Sequence, residues 1–208
     1  MVDLKQLNGS KITIELRLDD KLIDGAVVKP LSFTSYIECI DEARALKDPK
    51  TWEGRLRRAR LLRQVEYYAN GSVAKITGSE LVKLTIPSAR AIASKLDESD
   101  GTQGKIIREG DGIDKAIVYE LGKPIPIQGK DPIRELEFLA KNYGDVEDIM
   151  ATPDRLQQVS LLIANLAKPL GTSLTLLPTW ALNQITVNDG FTIMQQVLPP
   201  FLGLPVES

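Results

Sequence analysis

The stretches "LVKLTIPSARAIASKLDESDG", Leu81 to Gly101, and "LPTWALNQITVNDGFTIMQQVLPPFLG", Leu177 to Gly203, follow one plan. Each reads as a short helix, a polar break, a second helix and a non-helical end. A chain that writes one plan twice is confined to architectures with two like units. At 208 residues there is room for one ordinary domain or two small ones. Set side by side with a shift of roughly 100 to 105 residues, the halves share an order of elements. Glu15-Leu16 falls on Glu120-Leu121, Gly25 on Gly129, Leu31 on Leu136 and Phe33 on Phe138. Further on, Leu61-Leu62 meets Leu161-Leu162, Leu81 and Leu84 meet Leu182 and Ile185, and Ile92 and Leu96 meet Ile193 and Val197.

Periodicity supplies the elements. Ile12, Ile14, Leu16 and Leu18 alternate as in a half-buried strand, and Ala26 to Leu31 returns as its partner after "DDKLIDG". "TSYIECIDEARALKD" has helical spacing. A longer helix is expected from Pro49 to Ala69, opened by Asp48-Pro49 and ended by "NGS". Two shorter helices follow, Ser79–Leu84 and Pro87–Leu96. The Gly- and Asp-rich run Asp97 to Asp114 is the best boundary, and "KIIRE" within it has the makings of a short strand. "KAIVYELGKPIPIQGKDPIRELEF" then reads as strand, turn, strand, and "GDVEDIMA" as a helical turn or two. A helix capped by Thr152 with Pro153 in its first turn carries the stripe Leu156, Val159, Ile163, Leu166 and Ala167. Thr186 and Asp189 stand at capping-box spacing. The expected fold is α+β, mainly α: two tandem similar units, each a β-hairpin followed by a small helical bundle. Their bounds are 1–97 and 115–208, with a linker over 98–114.

Composition narrows the chemistry. The formal charge is −2, without the basic surplus of a general nucleic-acid binder. There is no histidine, which removes the commonest general base and metal ligand, together with every Ser/His or Cys/His nucleophile pair. The single cysteine, Cys39, lies on an apolar helix face and reads as a buried thiol. Neither a secretory leader nor a membrane-spanning apolar run is visible, so the expected location is the cytoplasm. "GTQGK" lacks the length and trailing hydroxyl of a phosphate loop. The adjacent acids Glu147-Asp148 and Asp19-Asp20 point to different faces, against a paired-carboxylate or metal site. No catalytic residue, metal or cofactor is expected.

"IVYELGKPIPIQGKDPIRELEF", "AKNYGDVEDI" and the closing Leu177, Leu182, Ile185, Asp189, Ile193, Val197, Phe201 and Leu202 carry a family likeness. The second half resembles the tail assembly chaperones of Mu-like and related contractile-tailed phages, and the first half resembles them weakly. The first half departs in having Pro87-Ser88 where that family has an Asp. The resemblance implies a non-catalytic protein of the host cell cytoplasm, absent from the mature particle. It would bind the tape measure protein and recruit tail tube subunits, with neither nucleic acid nor membrane as partner. Self-association is an additional open partner, because duplicated faces suit symmetric assembly. The alternative is a structural tail or baseplate component retained in the particle.

Two segments offer partner-binding residues. The end "VLPPFLGLPVES" presents Leu198, Phe201, Leu202 and Leu204 on a proline-rich segment that either packs back on its own domain or docks in a partner's groove. "GRLRRARLLRQ" presents Arg55 and Arg58 among arginines spread around a helix, either solvated or facing an anionic surface. Trp52 and Trp180 are expected as core or interdomain anchors.

Overall fold

The computed structural model describes residues 11–18, 21–110 and 116–202. The chain forms two compact units, Met1–Leu31 with Glu38–Asp100, and Ser32–Ile37 with Gly101–Ser208. The fold is α+β. It is not mainly α, because each unit is built on a four-stranded antiparallel sheet where sequence reading expected a hairpin.

In the first unit, β1 (Ile12–Arg17) and β2 (Leu22–Val28) form the expected hairpin, with Leu16 opposite Ile23. Helices α1 (Phe33–Ala45) and α2 (Trp52–Arg63) come next. The helix expected to run on to Ala69 stops at Gln64, whose carbonyl accepts the Lys29 N–H at 2.9 Å and whose Nε2 donates to the Lys29 carbonyl at 2.9 Å. β3 (Val65–Ala69) then pairs with β2, and β4 (Ser72–Ala74) with β3. The hinge is Asn70-Gly71, with φ of 51° and 79°, the left-handed pair that a tight two-residue hairpin requires. "NGS" is thus a strand-to-strand turn and not a helix stop. α3 (Gly78–Leu81) and α4 (Ile86–Glu98) complete the unit, each capped by a threonine, Thr77 and Thr85.

The second unit opens with β5 (Lys105–Glu109), the strand expected within the linker, paired to β6 (Ala116–Ile127). β7 (Lys130–Leu139) follows a tight turn. α5 (Tyr143–Met150) and α6 (Arg155–Leu166) lead to β8 (Ala167–Pro169), which pairs with β7. The cap of α6 is Asp154 and not Thr152, because the Asp154 carboxylate reaches the N–H groups of Leu156 (2.9 Å) and Gln157 (3.0 Å). α7 (Thr179–Leu182) and α8 (Val187–Thr192) follow. α8 runs on as a π-helical turn, Ile193–Val197, and a 3-10 turn, Pro199–Leu202. Ser32–Ile37 belongs here because Phe33 is fully buried in this core, donates its N–H to the Ile185 carbonyl at 2.8 Å and meets Phe191 edge to face.

The units are roughly similar. Strand orders β1-β2-β3 and β6-β7-β8 match, and each third strand follows one helix pair and precedes another, the first helix of the later pair being short. The first unit adds β4 beyond its third strand, and the second adds β5 beyond its first. The expected alignment holds at the end and slips at the start. Leu81 and Leu182 both close short helices, and Ile92, Leu96, Ile193 and Val197 are all buried. Phe33, however, opens α1, whereas Phe138 sits within β7; Gly25 lies inside β2, whereas Gly129 forms a turn with φ of 70°. Alternating apolar residues do not by themselves set register, so a slip of two keeps the same face inward.

Candidate functional site

Two arrangements stand out, one in each unit. In the second unit Asp189 has no exposed surface. Its Oδ1 accepts the Tyr119 hydroxyl at 2.8 Å, the Gly104 N–H at 2.8 Å and the Gly122 N–H at 3.1 Å; its Oδ2 accepts the Thr186 hydroxyl at 3.0 Å. The Asp189 N–H returns to Thr186 Oγ1 at 3.1 Å. The capping-box spacing was therefore a sound signal for the Thr186 cap, but the carboxylate turns away from its own helix to gather strand backbone. Burial, then the nearby Asp189 carboxylate, push the Tyr119 phenol above its usual range. The glycines are steric requirements: a Cβ on Gly104 would lie 2.0 Å from the Glu120 carbonyl oxygen, and one on Gly122 2.0 Å from that of Thr102. "GTQGK" is accordingly tied to the sheet, with Asn188 also donating to the Gly101 carbonyl at 2.7 Å.

The first unit repeats this device with a weaker group. Ser88, third in α4 as Asp189 is in α8, accepts the Glu15 N–H at 3.0 Å and the Thr85 hydroxyl at 2.8 Å. The bond sets Glu15 in the place of Gly122, two residues along from the alignment expected from sequence. Both centres join a strand to a helix start inside the fold, so they anchor and do not face a ligand.

The open feature is a cleft in the first unit, between α2 and α4, with a volume near 190 Å³. Leu96 and Arg60 are buried at its base, and Leu56 and Ala93 form half-buried walls. Trp52 stands at the rim, 37% exposed. Spacings of four along Trp52, Leu56 and Arg60, and of three and four from Ala93 to Leu96 and Asp97, put each set on one helix face. Arg60 closes the base. It donates to Asp100 Oδ1 at 2.5 Å, to the Leu96 carbonyl at 2.9 Å and to Gln64 Oε1 at 3.1 Å. A guanidinium suits this position because it reaches a carboxylate and, at the same time, a helix-end carbonyl that also accepts from the Ser99 hydroxyl at 2.6 Å. Burial holds the Asp100 carboxyl above the usual Asp range, and Arg60 draws it only part of the way back. Sequence reading left this arginine among the solvated ones; the fold buries it.

The expected site residues do not come together. Leu198 is 1% exposed within the second core, and Phe201 and Leu202 pack against that core, so this part of the tail folds back on its own unit. Leu204 lies outside the described residues, as do Asp19 and Asp20. Arg58 donates to the Asp48 carbonyl at 3.1 Å. Arg55 sits over the Trp52 ring, 5.9 Å from its centroid. Trp52 and Trp180 are rim and surface residues and not core anchors, Trp180 being 44% exposed. Cys39 is buried as expected, its thiol pushed up to about 11 by burial, then by Glu42. The cleft was missed because α2 and α4 are remote in sequence; the signal present was Trp52 and Leu56 one turn apart beside a run of arginines.

Among the described residues, no group of three or more Cys, Asp or Glu is placed to hold a metal ion, and no helix is long and apolar enough to cross a membrane. Comparison with models of known protein families, with characterised proteins and with solved structures finds no match to this chain.

Proposed function

We propose that the protein is a non-catalytic phage tail assembly chaperone. It works in the host cytoplasm, binds the tape measure protein, and helps recruit tail tube subunits. The observation that supports this reading best is the open, partly apolar α2–α4 cleft with Trp52 at its rim. Its volume falls below the roughly 300–1,000 Å³ of small-molecule sites and suits one large side chain of a protein partner. Val82 (65% exposed) and Ile86 (70% exposed) leave further apolar surface open at the α3–α4 corner. A tape measure is a long amphipathic helix that aggregates when bare, and shallow apolar contact is how such a helix is held reversibly. The likeness of the second half to tail assembly chaperones supplies the partner's identity.

Co-expression with the tape measure protein tests the proposal. The expected result is a soluble tape measure recovered with the tagged protein; an insoluble, unbound tape measure refutes it. Mass spectrometry of purified particles separates the structural alternative, which requires the protein in stoichiometric amount. The chaperone reading expects none.

A further inference from the structure

Each unit has a corner where a short helix turns into the next through a threonine cap. Val82, Leu84 and Ile86 of the first unit stand where Asn183, Ile185 and Val187 stand in the second. In the second unit this corner is covered by Ser32–Ile37, the start of α1. Ser32 bridges to Thr186, the Phe33 N–H donates to the Ile185 carbonyl at 2.8 Å, and the Thr34 hydroxyl donates to Asn183 Oδ1 at 3.1 Å. Val187 is left 2% exposed. In the first unit Ile86 is 70% exposed and Val82 65%, and among the described residues no N–H donates to the Leu84 carbonyl. One corner is built twice and covered once.

The cover also has a counterpart. Ser32 lies four residues past Val28, the last residue of β2 paired with β3, and Asn142 lies four past Phe138, the last of β7 paired with β8. Each precedes a helix, α1 or α5. Asn142 has an extended backbone (φ −68°, ψ 153°) and makes no cap bond with its side chain. Asn142, Gly144 and Asp145 are all exposed. We infer that the first-unit corner receives the start of α5 from a second copy of this chain, as the second-unit corner receives the start of α1. Gly144 takes the place of Thr34 against Val82, and an N–H that a helix start leaves unpaired reaches the Leu84 carbonyl. Charge agrees with this occupant. Arg90 stands in the place of Phe191, and the first turn of α5 brings Asp145 where that of α1 has no acid. Lys21 and Lys83 lie on the same flank, and the Glu80 carboxylate beside them is held by the Thr77 N–H and hydroxyl, both at 2.7 Å. Ala89 replaces Gly190, where a Cβ would lie 2.1 Å from Phe33 Cγ, so this corner takes a helix start without a ring seated that deep. That excludes Phe33 of another copy and makes the contact shallow. One face gives and a different one receives, so copies join head to tail, closing as a pair or running on.

This inference goes beyond the chaperone reading and does not rest on it; that reading keeps the α2–α4 cleft, and its own test is capture of the tape measure. Sedimentation equilibrium of the full chain at about 100 µM should show dimers or larger species, the range expected of a contact at the small end of specific interfaces. Ile86→Asp should weaken the association at least about tenfold and leave the melting curve unmoved, because Ile86 is exposed and an acid suits the first position of a helix. Cysteine pairing tests the geometry. Val82→Cys and Gly144→Cys change the counterparts of Asn183 and Thr34, and a side chain on residue 144 meets open space within its own chain. Mixed and mildly oxidised, the two variants should form a disulfide-linked heterodimer at least about tenfold faster than either forms a homodimer, since only the mixed pair brings the sulfurs within bonding reach. Native Cys39 is buried and takes no part. A monomer at that concentration, association indifferent to Ile86→Asp, or homodimers formed as fast as the heterodimer overturns the inference.

Discussion

Removing the Asp189 carboxylate should damage the second unit far more than removing the Ser88 hydroxyl damages the first. Asp189→Ala takes the acceptor from the Gly104 and Gly122 N–H groups, the Tyr119 hydroxyl and the Thr186 hydroxyl at once. A buried donor left unpaired costs roughly 1–3 kcal/mol, and hydroxyls can turn to find another partner, so the expected loss is about 4–6 kcal/mol. Asp189→Asn keeps one oxygen for the three Oδ1 donors and loses the charge; since charge-assisted bonds are about twice as strong as neutral ones, about 2 kcal/mol should go. Ser88→Ala frees only the Glu15 N–H and the Thr85 hydroxyl, for about 1–2 kcal/mol. The chain has two tryptophans, Trp52 in the first unit and Trp180 in the second. Urea titrations in Trp52→Phe and Trp180→Phe backgrounds therefore read the units separately. The Trp180 midpoint should fall steeply with Asp189→Ala and by less than half as much with Asp189→Asn. An Asp189→Ala loss no greater than that of Ser88→Ala would refute the idea that this carboxylate gathers the strands.

Further outcomes follow from the same geometry. Gly122→Ala places a Cβ 2.0 Å from the Thr102 carbonyl oxygen, a backbone atom that cannot swing aside, and should cost about 2–3 kcal/mol in the Trp180-monitored transition. Arg60→Ala leaves the half-buried Asp100 carboxylate without its guanidinium partner and should destabilise the first unit by about 2–4 kcal/mol, read by Trp52 fluorescence. The Cys39 thiol is raised from its ordinary 9.0 to about 11, so the folded state keeps a proton that the unfolded state releases. Its contribution is full below pH 9 and is lost as pH rises towards 11, at about 1.4 kcal/mol per pH unit. Cys39→Ala should show a shallower alkaline loss of stability by urea titration at several pH values, and native Cys39 should react with thiol reagents only after unfolding.

Much of the order of elements was legible because it rests on local chemistry. Alternation at Ile12, Ile14 and Leu16 specified a strand, the spacing in "TSYIECIDEARALKD" a helix, and "KIIRE" a strand inside a Gly- and Asp-rich stretch. The failure at Pro49–Ala69 is informative. Arg- and Leu-rich residues propagate a helix as far as their propensity allows, but "VEYYA" is β-branched and aromatic, and Asn70-Gly71 is a hairpin hinge. The competing signals lay in the sequence; pairing of β3 with β2 decided between them. The cleft was not legible, because helices remote in sequence form it and neither alone shows what the other leaves uncovered.

By itself the sequence determined that one plan is used twice, that histidine chemistry is absent, and that Thr186 caps a helix. These depend on residue type and on neighbours a few positions away. Only the tertiary structure decided that four strands stand in each sheet, that Arg60 is buried while Trp52 is not, and that Asp189 gathers backbone from Gly104 and Gly122. Such facts depend on which distant segments meet. An acid or an arginine carries the same letters whether water or a folded backbone satisfies it.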